Sequence, residues 1–210
     1  MKIALVFYGE PRDVKKSYNS FQQNILEGND VDVFGHTWDT NGLSECFDYY
    51  DFKKIMVEPH HNFEEFYVGK NGLDKFKNNA SMWYSTQCAH DVLNNYVYET
   101  NTEYDFVIRS RYDIFFRHKI DFTLLDNEFI YVSDAAWPGS HMWDDSWGIS
   151  SYENYVKIYS DLFTNYYNKH LHSTYIDRSE QNFWEHINEK GLQDIIKRET
   201  MLDFGLNRNK

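Results

Sequence analysis

The sequence predicts an α/β protein built on a largely parallel sheet, and three observations carry that expectation. Short apolar runs rich in β-branched and aromatic residues, at 2–8, 31–34 and 106–108, read as strands covered on both faces. Segments whose apolar residues recur at helical spacing separate them, and strands alternating with helices imply parallel pairing. Charge then gathers just past the third run, in Arg109-Ser110-Arg111-Tyr112-Asp113. In open α/β sheets the ligand crevice lies beyond the carboxyl ends of the strands.

The elements follow in order. Residues 2–8 form the first strand, and Gly9-Glu10-Pro11-Arg12 is the turn that ends it. Asp13 stands where a helix cap belongs; Val14, Tyr18, Phe21 and Ile25 recur at helical spacing, and Gly28 supplies a stop. The second strand, 31–34, runs out into Gly35-His36-Thr37-Trp38-Asp39, and 54–57 is a weaker third. Residues 58–79 are polar and irregular. From Ala80, the positions of Met82, Ala89, Val92, Leu93 and Tyr96 mark an amphipathic helix that leads to the 106–108 strand. Residues 129–132 read as a short strand, 135–144 as a loop rich in Gly, Pro and Trp, and 146–150 as another pairing segment. Helices on aromatic stripes are expected at 152–167 and 180–187, whereas 193–206 is ambiguous between helix and strand. We expect one domain over 1–206, with 207–210 a tail or the start of a linker.

A chain of 210 residues can bury a sizeable core without disulfides or structural metal. Cys46 and Cys88 form no CxxC pair, which suits packing roles in a reducing compartment. The apolar run Ile3–Tyr8 is too short for a signal sequence or a membrane span, so a soluble, cytoplasmic protein is expected. The glycosylation triplet Asn79-Ala80-Ser81 would then go unused. A net charge of −12 argues against nucleic acid as partner. Aromatic residues make up 19% of the chain, which suits stacking on sugars and bases and equally suits core and rim packing.

Arg12 follows the first strand, and together with Arg109 and Arg111 at a neighbouring strand end it would make a positive pocket suited to a diphosphate. Asp113 complicates this. A carboxylate about 5 Å from a phosphate charge costs on the order of 3 kcal/mol per unit pair at an effective dielectric near 20. Mg²⁺ or Mn²⁺, bound by one or two carboxylates plus substrate phosphates, resolves the conflict. The plainer alternatives are a buried Arg–Asp pair that staples the strand end, and a surface pair of Arg12 with Glu10. Asp144 and Asp145, set between Trp143 and Trp147, are candidates for holding sugar hydroxyls or acting as a base, or else they are loop caps. His60-His61 and the pair His170, His172 lack a third ligand at a recognised spacing. No G-x-S-x-G, P-loop or G-x-G-x-x-G occurs.

These residues resemble the GT-A glycosyltransferases, whose donor site is a Rossmann-like half-domain with a metal-binding DxD motif. The similarity rests on Gly9-Glu10-Pro11-Arg12 after the first strand, Gln87 on the helix before the metal strand, Tyr104 to Asp113, Asp145 to Ser151, and Glu180 opening a late helix. It extends to multidomain enzymes of algae-infecting DNA viruses that build glycans on a capsid protein. The resemblance implies a GT-A fold, a UDP-sugar donor, a glycan or glycoprotein acceptor and Mn²⁺ or Mg²⁺ held by Asp113. It assigns donor binding to Tyr8, Gly9, Arg12, His36, Thr37, Trp38, Gln87, Arg109 and Arg111, and catalysis to Asp144 or Asp145. One departure matters: Arg111 stands where the first Asp of DxD is expected. Inverting and retaining chemistry both stay open. A lectin-like module that holds glycans without transfer, and a nucleotidyltransferase on a related sheet, are the alternatives.

Overall fold

The computed structural model describes residues 1–64, 78–133, 145–171, 179–199 and 204–206. The first half alternates β1 (Lys2–Tyr8), α1 (Val14–Phe21), β2 (Asp30–Trp38), α2 (Leu43–Tyr49), β3 (Phe52–Glu58), α3 (Asn78–Thr100) and β4 (Phe106–Arg111). The second half adds strands β5 (Ile114–Phe116), β6 (Ile130–Ser133), β7 (Trp147–Ser150), β8 (Ile196–Glu199) and β9 (Phe204–Leu206). Its helices are α4 (Tyr152–Tyr159), α5 (Leu162–His170) and α6 (Ser179–Glu189). Seven strands join in the order β3-β2-β1-β4-β7-β6-β8, while β5 and β9 pair apart. Every pairing in the large sheet is parallel except those made by β7, which runs against β4 and β6. The protein is therefore α/β with a mostly parallel sheet flanked by helices.

β1 is central because both of its faces are apolar. Ala4, Val6 and Tyr8 pack with α3 and α4 residues such as Trp83, Leu93 and Tyr155. Ile3, Leu5 and Phe7 pack on the other face with Val14, Phe21 and Ile25. Side chains alternate across a strand, so a run apolar at every position requires cover on both sides.

Several boundaries differ from expectation, each for a local reason. β2 continues through Gly35, His36, Thr37 and Trp38 because these residues pair in register with β3 and their polar groups find buried partners. β4 likewise runs on to Arg111, so Arg109 lies inside the strand and not beyond its end. Asp13 precedes α1 with φ 51° and makes no side-chain cap; its carboxylate pairs with Lys16 instead. After α1 the helix widens into a π-turn at Gln22–Leu26 and stops at Gly28, whose φ is 83°. The helix expected over 152–167 breaks at Ser160–Asp161 into α4 and α5. Asp161 does not cap α5; Gln87 does, its Oε1 accepting from the amides of Phe163 (2.8 Å) and Thr164 (3.1 Å). The ambiguous 193–206 stretch contains a 3₁₀ turn at Gln193–Ile195 and then β8 and β9. The segment expected as a loop at 135–144 and the tail 207–210 lie outside the described residues. Among those described, no helix is long and apolar enough to cross a membrane.

His186 ties α6 to α4. Its Nε2–H donates to the Ile158 carbonyl at 2.7 Å, and Asp161 Oδ1 stands 3.9 Å away. Burial is the largest influence on its pKa and holds it below the ordinary value, against the opposing pull of that hydrogen bond and Asp161. A histidine whose folded pKa is depressed contributes stability that is complete above the unfolded value, about 6.5, and fades as pH falls towards the folded one. The melting temperature should therefore decline on acidification below about pH 6.5, and His186→Gln should decline less steeply. Identical slopes in the two proteins would rule out His186 as a source of acid lability.

Candidate functional site

From β1 the chain moves outwards to β2 and β3, crosses by α3 and returns to the other side of β1 as β4. The carboxyl ends of β1 and β4 thus form a topological switch point, where open α/β sheets leave a crevice. A cleft of about 590 Å³ opens there. Tyr8 and Gly9 line it from β1 and the following turn, Trp38 from the end of β2, and Arg111 and Asp113 from the end of β4. Arg12, Glu10 and Asp13 of the 9–13 turn, His60, Ser179 and the first turn of α3 complete the wall. The first turn of α3 thus faces the same cleft as Arg12 and Arg111.

The charged residues are paired. Arg111 holds Asp113 through a two-point fork, Nε to Oδ1 at 2.9 Å and Nη2 to Oδ2 at 2.6 Å. For Arg111, burial opposes the charge, and Asp113 nevertheless raises its pKa above the usual value. Arg12 pairs with Glu10 at the surface. The plainer alternatives read from the sequence are thus both present, at the wall of the cleft. The lining holds three carboxylates, Glu10, Asp13 and Asp113, against two guanidiniums.

Gly9 has φ 90° and gives its amide to Ser85 Oγ at 2.7 Å, while its carbonyl accepts from Thr37 Oγ1 at 3.1 Å. Among the described residues, and apart from its chain neighbours, no atom lies within 4 Å of where a Cβ would stand on Gly9.

Not all the expected residues meet here. Arg109 is buried beneath the cleft, 1% exposed, with its guanidinium carbon 4.8 Å from the Tyr8 ring centroid, 5.0 Å from that of Tyr159 and 5.5 Å from that of Phe183. His36 and Thr37 are fully buried in β2. His36 contacts Ser85 Oγ through Nδ1 (2.7 Å) and Glu58 Oε2 through Nε2 (2.8 Å). Burial lowers its pKa more than Glu58 raises it. Gln87 is engaged with α5. The Asp145 backbone carbonyl accepts from Tyr8 Oη (2.7 Å) and Arg109 Nη2 (2.7 Å), which places the residue behind Tyr8 and outside the cleft lining. Asp144 lies outside the described residues.

The sequence reading overlooked Ser81, Asn79 and Met82 on the first turn of α3, and Ser85 one turn further on. Asn79, Ser81 and Ser85, small polar residues buried at the start of α3, were the available signal. Asn79, 7% exposed, is enclosed where a glycan would have to attach. Neither protein-family models nor curated proteins match the chain.

Gly42 sets the position of the turn that carries Arg12. A Cβ on Gly42 would stand 1.7 Å from the Pro11 carbonyl oxygen, a backbone atom that cannot swing away. Gly42→Ala should displace the 9–13 turn and destabilise the protein by roughly 1–3 kcal/mol, measured by urea denaturation. An unchanged midpoint would show that the turn yields freely.

Proposed function

We propose that the chain is a metal-dependent GT-A glycosyltransferase that moves a sugar from a UDP-type donor to a hydroxyl of a glycan or glycoprotein. The observation that carries this reading is the gathering of Arg12, Arg111 and Asp113 in one cleft at the switch point of a mostly parallel sheet. A lectin has no need of two guanidiniums and a helix N-terminus facing one crevice. The arginines suit the diphosphate. Exposed ion pairs are worth at most about 1 kcal/mol, and the Arg12–Glu10 pair is exposed, so Arg12 exchanges Glu10 for a phosphate oxygen at little cost. Trp38, nearly buried against Tyr84 at 5.8 Å and His60 at 5.3 Å, contributes its rim to the cleft wall where the base would lie.

The donor set fits Mn²⁺ or Mg²⁺, hard ions that take oxygen ligands. Asp113 would hold the ion, with Arg111 fixing the orientation of its carboxylate and donor phosphates filling the remaining positions. A lining with more carboxylates than guanidiniums repels a bare diphosphate, and this excess supports metal dependence. When bound, the ion neutralises charge on the departing diphosphate. Asp144 and Asp145 remain the proposed catalytic carboxylates on the strength of the resemblance alone.

UDP binding measured by calorimetry should be strong with Mn²⁺ and weak in EDTA; equal affinity would remove the metal from the scheme. Arg12→Ala should weaken UDP by about 1.5–3 kcal/mol and leave uridine unchanged. Asp113→Asn should stay folded and lose the gain that Mn²⁺ confers. Hydrolysis of one nucleotide sugar from a panel would identify the donor. A protein stabilised by free sugar and indifferent to nucleotide would be a lectin, and one that consumes nucleoside triphosphate and releases pyrophosphate would be a nucleotidyltransferase.

A further inference from the structure

We propose that His36, Glu58 and Cys88 form a binding site for a zinc-class transition-metal ion. The site is distinct from the oxygen-lined cleft, since none of the three residues lines it. The proposal holds whether or not the cleft takes a nucleotide sugar.

The three side chains come from β2, β3 and α3, and one ligand atom from each lies within 4.8 Å of the others. The tightest contact, His36 Nε2 to Glu58 Oε2, is 2.8 Å. With metal–ligand bonds of about 2.0–2.3 Å, tetrahedral ligand atoms stand about 3.3–3.8 Å apart. Admitting an ion therefore separates His36 from Glu58 slightly and draws Cys88 inwards. Glu58 is 35% exposed at its side chain and free to adjust, whereas His36 is fixed. Imidazole together with thiolate selects zinc and its neighbours over Mg²⁺ or Mn²⁺. The charges also balance: a divalent ion against one carboxylate and one thiolate leaves the cluster neutral.

The surrounding groups suit a metal ligand. An imidazole that binds metal through one nitrogen donates the other N–H to a fixed acceptor. For His36 that acceptor is Ser85 Oγ, 2.7 Å from Nδ1. Ser85 already accepts the Gly9 amide. Without metal, the Ser85 hydroxyl donates to Nδ1 and the Nε2–H donates to Glu58. With metal on Nε2, the imidazole proton moves to Nδ1 and is donated to Ser85 Oγ, whose hydroxyl turns to the His36 carbonyl 3.5 Å away. One proton leaves overall, that of the Cys88 thiol. Tyr84 Oη donates to the same Glu58 oxygen that faces His36, at 3.1 Å. Glu58 and Cys88 are only part-buried, which leaves an approach from solvent and a fourth position for water.

Cobalt(II) titration of the intact, metal-stripped chain tests this, because a tetrahedral cobalt–thiolate site absorbs in the near ultraviolet and visible. The expected result is saturation at one equivalent, a rise in melting temperature, and loss of the bands on adding zinc. Cys88→Ser should abolish the charge-transfer band, while Cys46→Ser, which changes the other thiol, should keep it. Ser85→Ala should keep the band and weaken cobalt about 10–100-fold. Absence of the band in the parent protein, or its survival in Cys88→Ser, would overturn the site. Cys88→Ser replaces a part-buried side chain by a near-isostere, and its melting temperature without metal establishes that it folds.

Discussion

Arg109 places a full positive charge where almost no water reaches it. Moving a cation into the protein interior costs several kcal/mol even after relaxation. The surroundings answer that cost with the faces of Tyr8, Tyr159 and Phe183 and with the Asp145 carbonyl. A desolvated cation over a ring gains about 2 kcal/mol, so the cage works only if all its members are in place. They come from β1, α4, α6 and the approach to β7, and Arg109 itself is in β4. One side chain therefore binds the parallel half of the sheet to the reversed strand and to two helices. The Tyr159 and Tyr8 side chains and Asp145 all favour its charge, which burial opposes.

The same strand then turns a structural charge into an available one. Arg109 and Arg111 lie on one face of β4, two positions apart, or about 6.6 Å of strand. Over that distance the environment changes from stacked rings to the wall of the cleft. Arg111 is neutralised by Asp113 and Arg12 by Glu10, so the cleft presents ion pairs instead of bare charge. The two pairs differ in strength of hold: Arg12–Glu10 is exposed at the surface, whereas Arg111 grips Asp113 by a two-point fork with the carboxylate nearly buried.

Strand cores and the long helix were legible because burial on both faces forces an apolar run, and burial on one face forces a helical stripe; 2–8 and 80–96 show this. Strand ends were not. His36, Thr37 and Arg109 are polar residues that continue strands because partners distant in sequence satisfy them: Ser85 for His36, Gly9 for Thr37, and rings from three elements for Arg109. Polarity read locally marks those positions as loop or crevice. α2 was invisible for another reason, being seven residues long and preceded by Gly42 with no side-chain cap. Gln87 was legible as a residue with a specific task but not as to which task, since capping α5 depends on packing 76 residues away. Arg12, Arg111 and Asp113 line one cleft because they follow, or end, the adjacent parallel strands β1 and β4, a relation that chain order makes visible.

The turn between β1 and α1 shows how rigid backbone and exchangeable side chains divide the work. Gly9 is held through its amide by Ser85 and through its carbonyl by Thr37, and Gly42 supports Pro11 from below. The backbone of the turn therefore has little room to shift. The Arg12 side chain, more than half exposed, has no such restraint beyond Glu10. At this cleft the mobile element is therefore the Arg12 side chain and not the backbone that carries it. Ser85 links this turn to His36, so any change in the hydrogen bonding of His36 reaches Gly9 through a single hydroxyl.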